Sequence, residues 1–532
     1  MSEKEYIVTL NKNVDYAVFD AEMIATTGSG AIPQRSAPIS NLRPGSKRNT
    51  HYLLTDDEAN TLRLDPRVLS VEIPPEQRDD IKIGIRATQP GNFNKSTSDS
   101  GDIVNWGLIR CNESTNIYGT GTNTSQDYNY TLDGTGVDIV IQDSGIQVDH
   151  PDFNDTSGVS RVQQIDWYQE SGLAGTQNAN HYRDTDGHGT HCAGIAAGKT
   201  YGWGKNAKIY SVKVAGLEGD GDSGTGISVS DCFDVIKLWH RNKPVDPATG
   251  VKRPTIVNMS WGYGGYYQFD QSQGHSINYR GDTYSGLQVD TANDRLDYGL
   301  PVRVRGTLGG NPYYDYNSRI ASVDADIEEL LEEGVHVCIA AGNNSYKIEV
   351  ENGTDWNNTV SCSTYNFSFG TFTSGTFNTH KGSSPQALGA HIVGNVDSSV
   401  NLAGLDRKAE SSECGPAVTV YAPGTNIMST TSTTNKFTDG EYPADTNFRI
   451  CNISGTSMAS PQIAGILSLY CQLNPGSTPA DGLQFIIDNS TDQLYNTSND
   501  DDFNDIRSLL STHTRLAFNK FNSAIQLTIG SS

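Results

Sequence analysis

Short runs of apolar residues alternate with amphipathic segments along most of the chain, and the period of each run separates strands from helices. Residues 137–142, 208–214, 255–259 and 335–341 are brief and rich in β-branched residues. They read as strands buried on both faces. Between them, 190–197 is a helix of small residues, and 231–239, 324–333 and 458–472 repeat apolar positions every three to four residues, as helices do. This alternation predicts an α/β fold: a mostly parallel central sheet with helices on both faces. In such sheets the site lies beyond the carboxyl ends of the strands.

A different pattern fills residues 1–75. Strands are predicted at 6–10, 51–54 and 68–73, and a helix at 16–26. Thr55 and Glu58 form a capping box opening a second helix that runs through Leu62. A Gly/Pro/Ser-rich stretch, 28–46, separates the halves. The first unit is thus a small α+β, ferredoxin-like domain. Residues 76–104 carry a charged patch and a Gly/Asn/Ser/Asp-rich run, and read as a linker open to cleavage. Within the second domain, 105–532, the stretches 263–322 and 344–386 break the alternation. Both read as surface insertions, the first beside the substrate cleft.

Composition narrows the function. Lys and Arg number 38 against 62 Asp and Glu, a net charge of −24. That much negative charge repels nucleic acid and anionic membrane surfaces, so neither is an expected partner. No apolar run approaches a membrane span. The N-terminus lacks a basic stretch followed by an apolar one, so a cytoplasmic or virion-associated protein is expected. Eight cysteines include no CxxC pair, which argues against zinc and for reduced thiols.

Hydrolysis by a serine needs an exposed hydroxyl, a histidine to take its proton, a carboxylate to orient that histidine, and donors for an oxyanion. Asp143 ends a buried strand; a turn aspartate bonding its own backbone is the plain alternative. His188 sits between Gly187 and Gly189, with His191 near enough to suggest a metal site instead. Ser457 opens the last long helix, where the dipole favours a developing anion, or where a serine simply caps. Asn343 follows a strand and can donate to an oxyanion, or can serve a turn. Singly these are weak; together, in the order Asp, His, Ser, they point to a serine peptidase.

These residues resemble the subtilase family, including its proteinase K branch, over most of 105–480. Asp143-Ser144-Gly145, with His150-Pro151-Asp152-Phe153 after it, is similar to the family's aspartate motif. Residues 186–194 resemble its histidine motif, 455–461 its serine motif, and Ala340, Ala341, Gly342 and Asn343 its oxyanion motif. Ser260, Trp261 and Gly262 resemble one substrate-binding strand, and Ser223, Gly224 and Thr225 the opposite one. The resemblance implies a serine endopeptidase acting through an acyl-enzyme, with an extended protein or peptide substrate between those strands. It needs no cofactor for chemistry. Residues 5–73 resemble the family's pro-segment, an intramolecular chaperone and inhibitor whose end would lie in the cleft. By the same resemblance, structural calcium is possible in this chain. The Asn-rich calcium loop is replaced here by 199–204, although Asp152 matches one ligand. The acidic balance and compact pro-segment are similar to subtilases of marine tailed phages. Two other readings stand beside this one: a catalytically silent subtilase scaffold serving as a structural or virion protein, and a serine-carboxyl peptidase. The latter uses Glu and Asp in place of the histidine, and the full histidine motif speaks against it.

Overall fold

The computed structural model describes residues 3–25, 35–85, 105–116, 128–214, 227–268, 275–285, 296–300, 304–400, 404–496, 507–510 and 512–521. Its centre is a sheet ordered Asp406–Lys408, His391–Val400, His336–Ala340, Thr255–Met259, Asp138–Asp143, Lys208–Lys213 and Val162–Gln164, with Val420–Pro423 also paired to the second of these. Every pairing is parallel except that of Asp406–Lys408.

Side chains alternate between the two faces of these strands. Ile256, Cys338 and Val393 pack under Ile463, Ile466 and Leu467 of helix Thr456–Leu473. Val257, Met259, Val337 and Ile339 join Val235 and Ile236 of helix Val229–Asn242, and Ile327 and Leu330 of helix Ala321–Glu332, in the core that covers the other face. These helices begin two or three residues earlier than their apolar periodicity indicates, because polar first turns are bonded by caps and by the first unit. No helix among the described residues is long and apolar enough to cross a membrane. All eight cysteines are free and buried.

The first unit has the order strand, helix, strand, strand, helix, strand, and an antiparallel sheet ordered Ile39–Asn41, Asn49–Leu54, Lys4–Leu10 and Val68–Glu72. It closes on its own core of Tyr6, Val8, Phe19, Tyr52, Leu62 and Val71. Ile39–Asn41 lies inside the stretch expected as loop, since a three-residue edge strand leaves almost no periodic signal. The unit docks on helices Val229–Asn242 and Ala321–Glu332. Arg43 binds Asp234 and Asp326, and the Lys47 amide donates to Glu329. The Glu72 carboxylate accepts from the first amides of the second helix, those of Ala321 and Ser322.

Two expectations change here. The stretch taken as linker is not all linker: Lys82–Ile85 is a strand, paired antiparallel with Trp261–Gly264. Pro75–Gln77 is a short 3-10 helix, and 86–104 lies outside the described residues. The two insertions are not separate decorations either. Trp261–Gln268, Ser276–Tyr279, Asp282–Ser285, Gly306–Leu308, Asn311–Asn317, Thr359–Asn366 and Thr371–Asn378 form one sheet, which Lys82–Ile85, in the tail that follows the first unit (residues 76–85), completes. Tyr267, Ile277, Tyr316, Val360 and Phe377 fill its core.

Candidate active site

Strand Asp138–Asp143 delivers Asp143 to its carboxyl end, and helix His188–Ala197 begins with His188 in its first turn. Gly187, the residue before it, has φ +95, and a Cβ there would stand 2.4 Å from Thr431 Oγ1, so only glycine fits. His188 Nδ1 bonds Asp143 Oδ1 at 2.7 Å, with both side chains fully buried. Asp143 Oδ1 also accepts from the Ser144 amide at 2.7 Å. The turn role suggested by the sequence is therefore real, and the imidazole contact is added to it. His191 belongs elsewhere: its Nε2 lies 3.1 Å and 3.0 Å from the carbonyl oxygens of Ile427 and Cys451. That removes the paired-histidine metal reading.

Ser457 is not the cap of its helix. Gly455 holds that position, and Ser457 Oγ donates to the carbonyl oxygen of Ser260 at 2.9 Å. Ser260 Oγ returns a bond to Ser457 O at 2.9 Å, and Asn258 and Ser460 extend the network, fixing the helix start to the strand end. His188 Nε2 is buried without a partner. Cys192 Sγ stands 3.9 Å from His188 Nδ1 and 3.5 Å from Ser457 O, so histidine and serine border one thiol. Burial pushes that thiol's pKa up, which keeps it neutral. Burial disfavours charge on His188 as well, but the Asp143 carboxylate outweighs it and raises the imidazole well above its usual value. An Asp143-bound Nδ1–H leaves Nε2 as the basic nitrogen.

Strand His336–Ala340 is followed by Ala341, whose amide donates to Val393 O at 2.9 Å, and then by Gly342 and Asn343. Asn343 Oδ1 accepts from Thr456 N at 3.0 Å and Thr456 Oγ1 at 3.2 Å, while Gly342 N donates to Thr456 Oγ1. The carboxamide is thus oriented by the residue preceding Ser457, not by its own turn. Trp261 and Gly262 pair with Ile85 and Gly84 of the tail. Ser223, Gly224 and Thr225 lie outside the described residues.

Asp184 escaped the sequence reading. It is 4% exposed and accepts five hydrogen bonds: from Ser144 Oγ, the amides of Asp186, Gly187 and Thr190, and Thr190 Oγ1, at 2.6–3.1 Å. Burial pushes its pKa up against those donors. It ties the aspartate turn to the histidine helix. The available signal was an aspartate four residues before a histidine at a predicted helix start. Asp184→Ala strands several buried donors and should cost at least about 2 kcal/mol in urea unfolding. It should also lower kcat more than it raises KM, while Asp184→Asn keeps part of both.

Asp152 meets the loop after the His188 helix, where a divalent cation would need several oxygen ligands. Asp152 is buried; its Oδ1 accepts from Thr200 N and Tyr442 Oη, and its Oδ2 has no partner. The carbonyls that would complete a cation shell already have donors. Arg161 donates to Ala197 O and Ala207 O at 2.7 Å each, and Lys205 to Lys199 O at 2.7 Å. Arg161 and Lys205 thus place two positive charges beside Asp152, which disfavours a divalent cation at this loop.

The sequence profile of the Subtilase family matches residues 134–505. A subtilisin-like serine protease of Cochliobolus lunatus, Cur l 4.0101, is 26% identical over 377 residues, covering 70% of this chain and 51% of its own. The subtilisin-like proteinase Spm1 of Pyricularia oryzae is 27% identical over 375 residues, 70% of this chain and 47% of that one. The chain spans about half the length of the curated relatives it matches. Among solved structures, fervidolysin from Fervidobacterium pennivorans, a keratinolytic enzyme related to subtilisin, matches 92% of this chain and 58% of its own, with TM-score 0.50 and 16% identity. That similarity is one of fold.

Proposed function

From the premise that the chain belongs to the subtilase family and has its α/β fold, we propose that it is a serine endopeptidase held latent by residues 1–75. The observation carrying this reading is one buried cluster: the Asp143–His188 pair, Ser457 bonded to Ser260, and a segment of the chain itself paired along the strand that follows. Ser457 Oγ attacks the scissile carbonyl, and His188 Nε2 takes its proton and returns it to the leaving amine. Asp143 orients His188 and stabilises its charged form. Asn343 Nδ2 and the Ser457 amide stabilise the oxyanion. The substrate is a protein or peptide bound extended by strand addition on Ser260, Trp261 and Gly262, with Ala340, Ala341 and Gly342 lining the reacting end; the resemblance assigns Ser223, Gly224 and Thr225 to substrate binding as well. The chemistry takes no cofactor. The strand at 82–85, which follows residues 1–75, supports a segment of the chain itself as the cleft's resident ligand.

Fluorophosphonate labelling of the purified chain, with intact mass and N-terminal mapping, tests this. Labelling at Ser457 together with a new N-terminus between about 86 and 106 is the expected result. A chain that stays intact and unlabelled after mild proteolysis of 86–104 would favour the silent scaffold.

A further inference from the structure

The groove filled by the tail is longer than residues 260–262, because strand Trp261–Gln268 runs on into the sheet built from both insertions. Beyond the paired residues the tail is still held. Phe367 N donates to Asp79 O at 2.8 Å, and Tyr316 Oη to Asp80 O at 2.8 Å. Gly265 is bare where the tail passes: a Cβ there would stand 2.5 Å from Asp80 O. The chain is therefore held along 79–85, extended from Lys82 on, well past the segment next to the reacting serine.

Lys82, opposite Gly264 in the register, is where this surface meets a charge. Its Nζ lies 4.9 Å from the ring centre of Tyr266 and 5.4 Å from that of Phe367. Those two rings are 5.3 Å apart. Tyr313 and Tyr365 pack on Tyr266 at 5.1 and 6.0 Å, and Tyr365 on Phe367 at 5.1 Å. All four are only half-buried. They come from both insertions: Tyr266 and Tyr313 from the first, Tyr365 and Phe367 from the second. Aromatic faces carry negative charge density that attracts ammonium and guanidinium groups, and stacked neighbours fix their orientation.

We propose that this aromatic face is a specificity site that selects a lysine or arginine side chain in the substrate. The selected residue lies three positions before the one that pairs with Trp261. The proposal rests on the proteolytic reading above, in which the tail stands in for a substrate strand. A carboxylate at that position meets the negative ring faces, and a methyl group leaves them wet.

The test uses quenched peptides with the chain's own sequence from Arg78 to Gln89, carrying Lys, Arg, Ala or Glu at position 82, and the processed enzyme. The Lys and Arg peptides should exceed the Ala peptide in kcat/KM by about threefold to thirtyfold, with Glu lowest. Tyr266→Leu and Phe367→Leu should bring the ratio towards one. In the full chain, Lys82→Glu should shorten the lag before activity appears, and Lys82→Arg should not. Equal kcat/KM for the four peptides overturns the specificity site while leaving peptide hydrolysis established; a changed lag alone would then mark Lys82 as a pro-segment anchor only. If no peptide is cut and Ser457 takes no probe, the proteolytic reading itself falls.

Discussion

Ser457→Ala leaves the chain uncleaved and inactive but folded. Peptide hydrolysis should fall about 10⁶-fold, a scale known from subtilisin itself rather than obtained from this geometry. Self-cleavage should stop with it, so a single full-length species persists on storage. The fold has little reason to change. The hydroxyl makes one bond, to Ser260 O, and the helix start is also held by the bonds of Ser260 Oγ to Ser457 O and of Ser460 Oγ to Asn258, none of which needs it. The loss in unfolding free energy should therefore be about 1 kcal/mol. Intact mass, a thermal melt and a peptide assay on one preparation decide the matter. A variant that still processes itself would place the nucleophile elsewhere.

Arg43→Met should release the enzyme early. The Arg43 guanidinium is 2% exposed and binds Asp234 at 2.7 and 2.9 Å and Asp326 at 2.9 and 3.1 Å. Lys237 shares the site, 3.1 Å from Asp234, 2.8 Å from Asp326 and 2.5 Å from Glu329. Burial penalises the charge on Arg43, yet Asp234 and Asp326 hold its pKa above the ordinary value. Without it, three buried carboxylates face one cation, and breaking such a pair costs about 3–5 kcal/mol. The cost falls on the docked state, because undocking returns the carboxylates to water. The hold of the pro-segment should weaken roughly 10²- to 10³-fold, read as the time to half-maximal activity of freshly folded chain. Arg43→Lys should recover only part, lacking the fork that reaches both aspartates. Latency equal to the parent chain would remove Arg43 as the anchor.

The central sheet was legible because strands buried on both faces write their burial into nearly every position: 255–259 was found to the residue, and 137–142 within one. The capping box at Thr55 was likewise local. Asp143, His188, Ser457 and Asn343 were legible as residues at element ends. Their bland alternatives were settled only by partners distant in the chain: Gly455 rather than Ser457 caps the helix, and Thr456 rather than a turn occupies Asn343. What stayed hidden depends on the partner. Lys82–Ile85 is a strand because Trp261–Gly264 offers an edge, and four residues in charged surroundings carry no period of their own. Arg43 sat unremarked in a Gly/Pro/Ser-rich stretch, since nothing nearby announces three carboxylates contributed by two distant helices. The single sheet formed by both insertions rests on pairings between segments nearly a hundred residues apart, such as Tyr267 with Thr364.

The ion cluster under Arg43 also bears on how the chain finds its fold. Helix Ala321–Glu332 runs directly into a strand of the central sheet and helix Val229–Asn242 reaches its neighbour through the loop 243–254; those two strands pair through Ile256 and His336. Eighty residues separate the pair, and closing a loop of that length costs about 4 kcal/mol of chain entropy before any contact rewards it. The first unit, by contrast, is short and closes on a core of its own. Any state in which that unit already grips both helices has restricted the loop in advance. What would remain for the parallel strands is then a short search, and the barrier to their pairing should fall by much of that entropy.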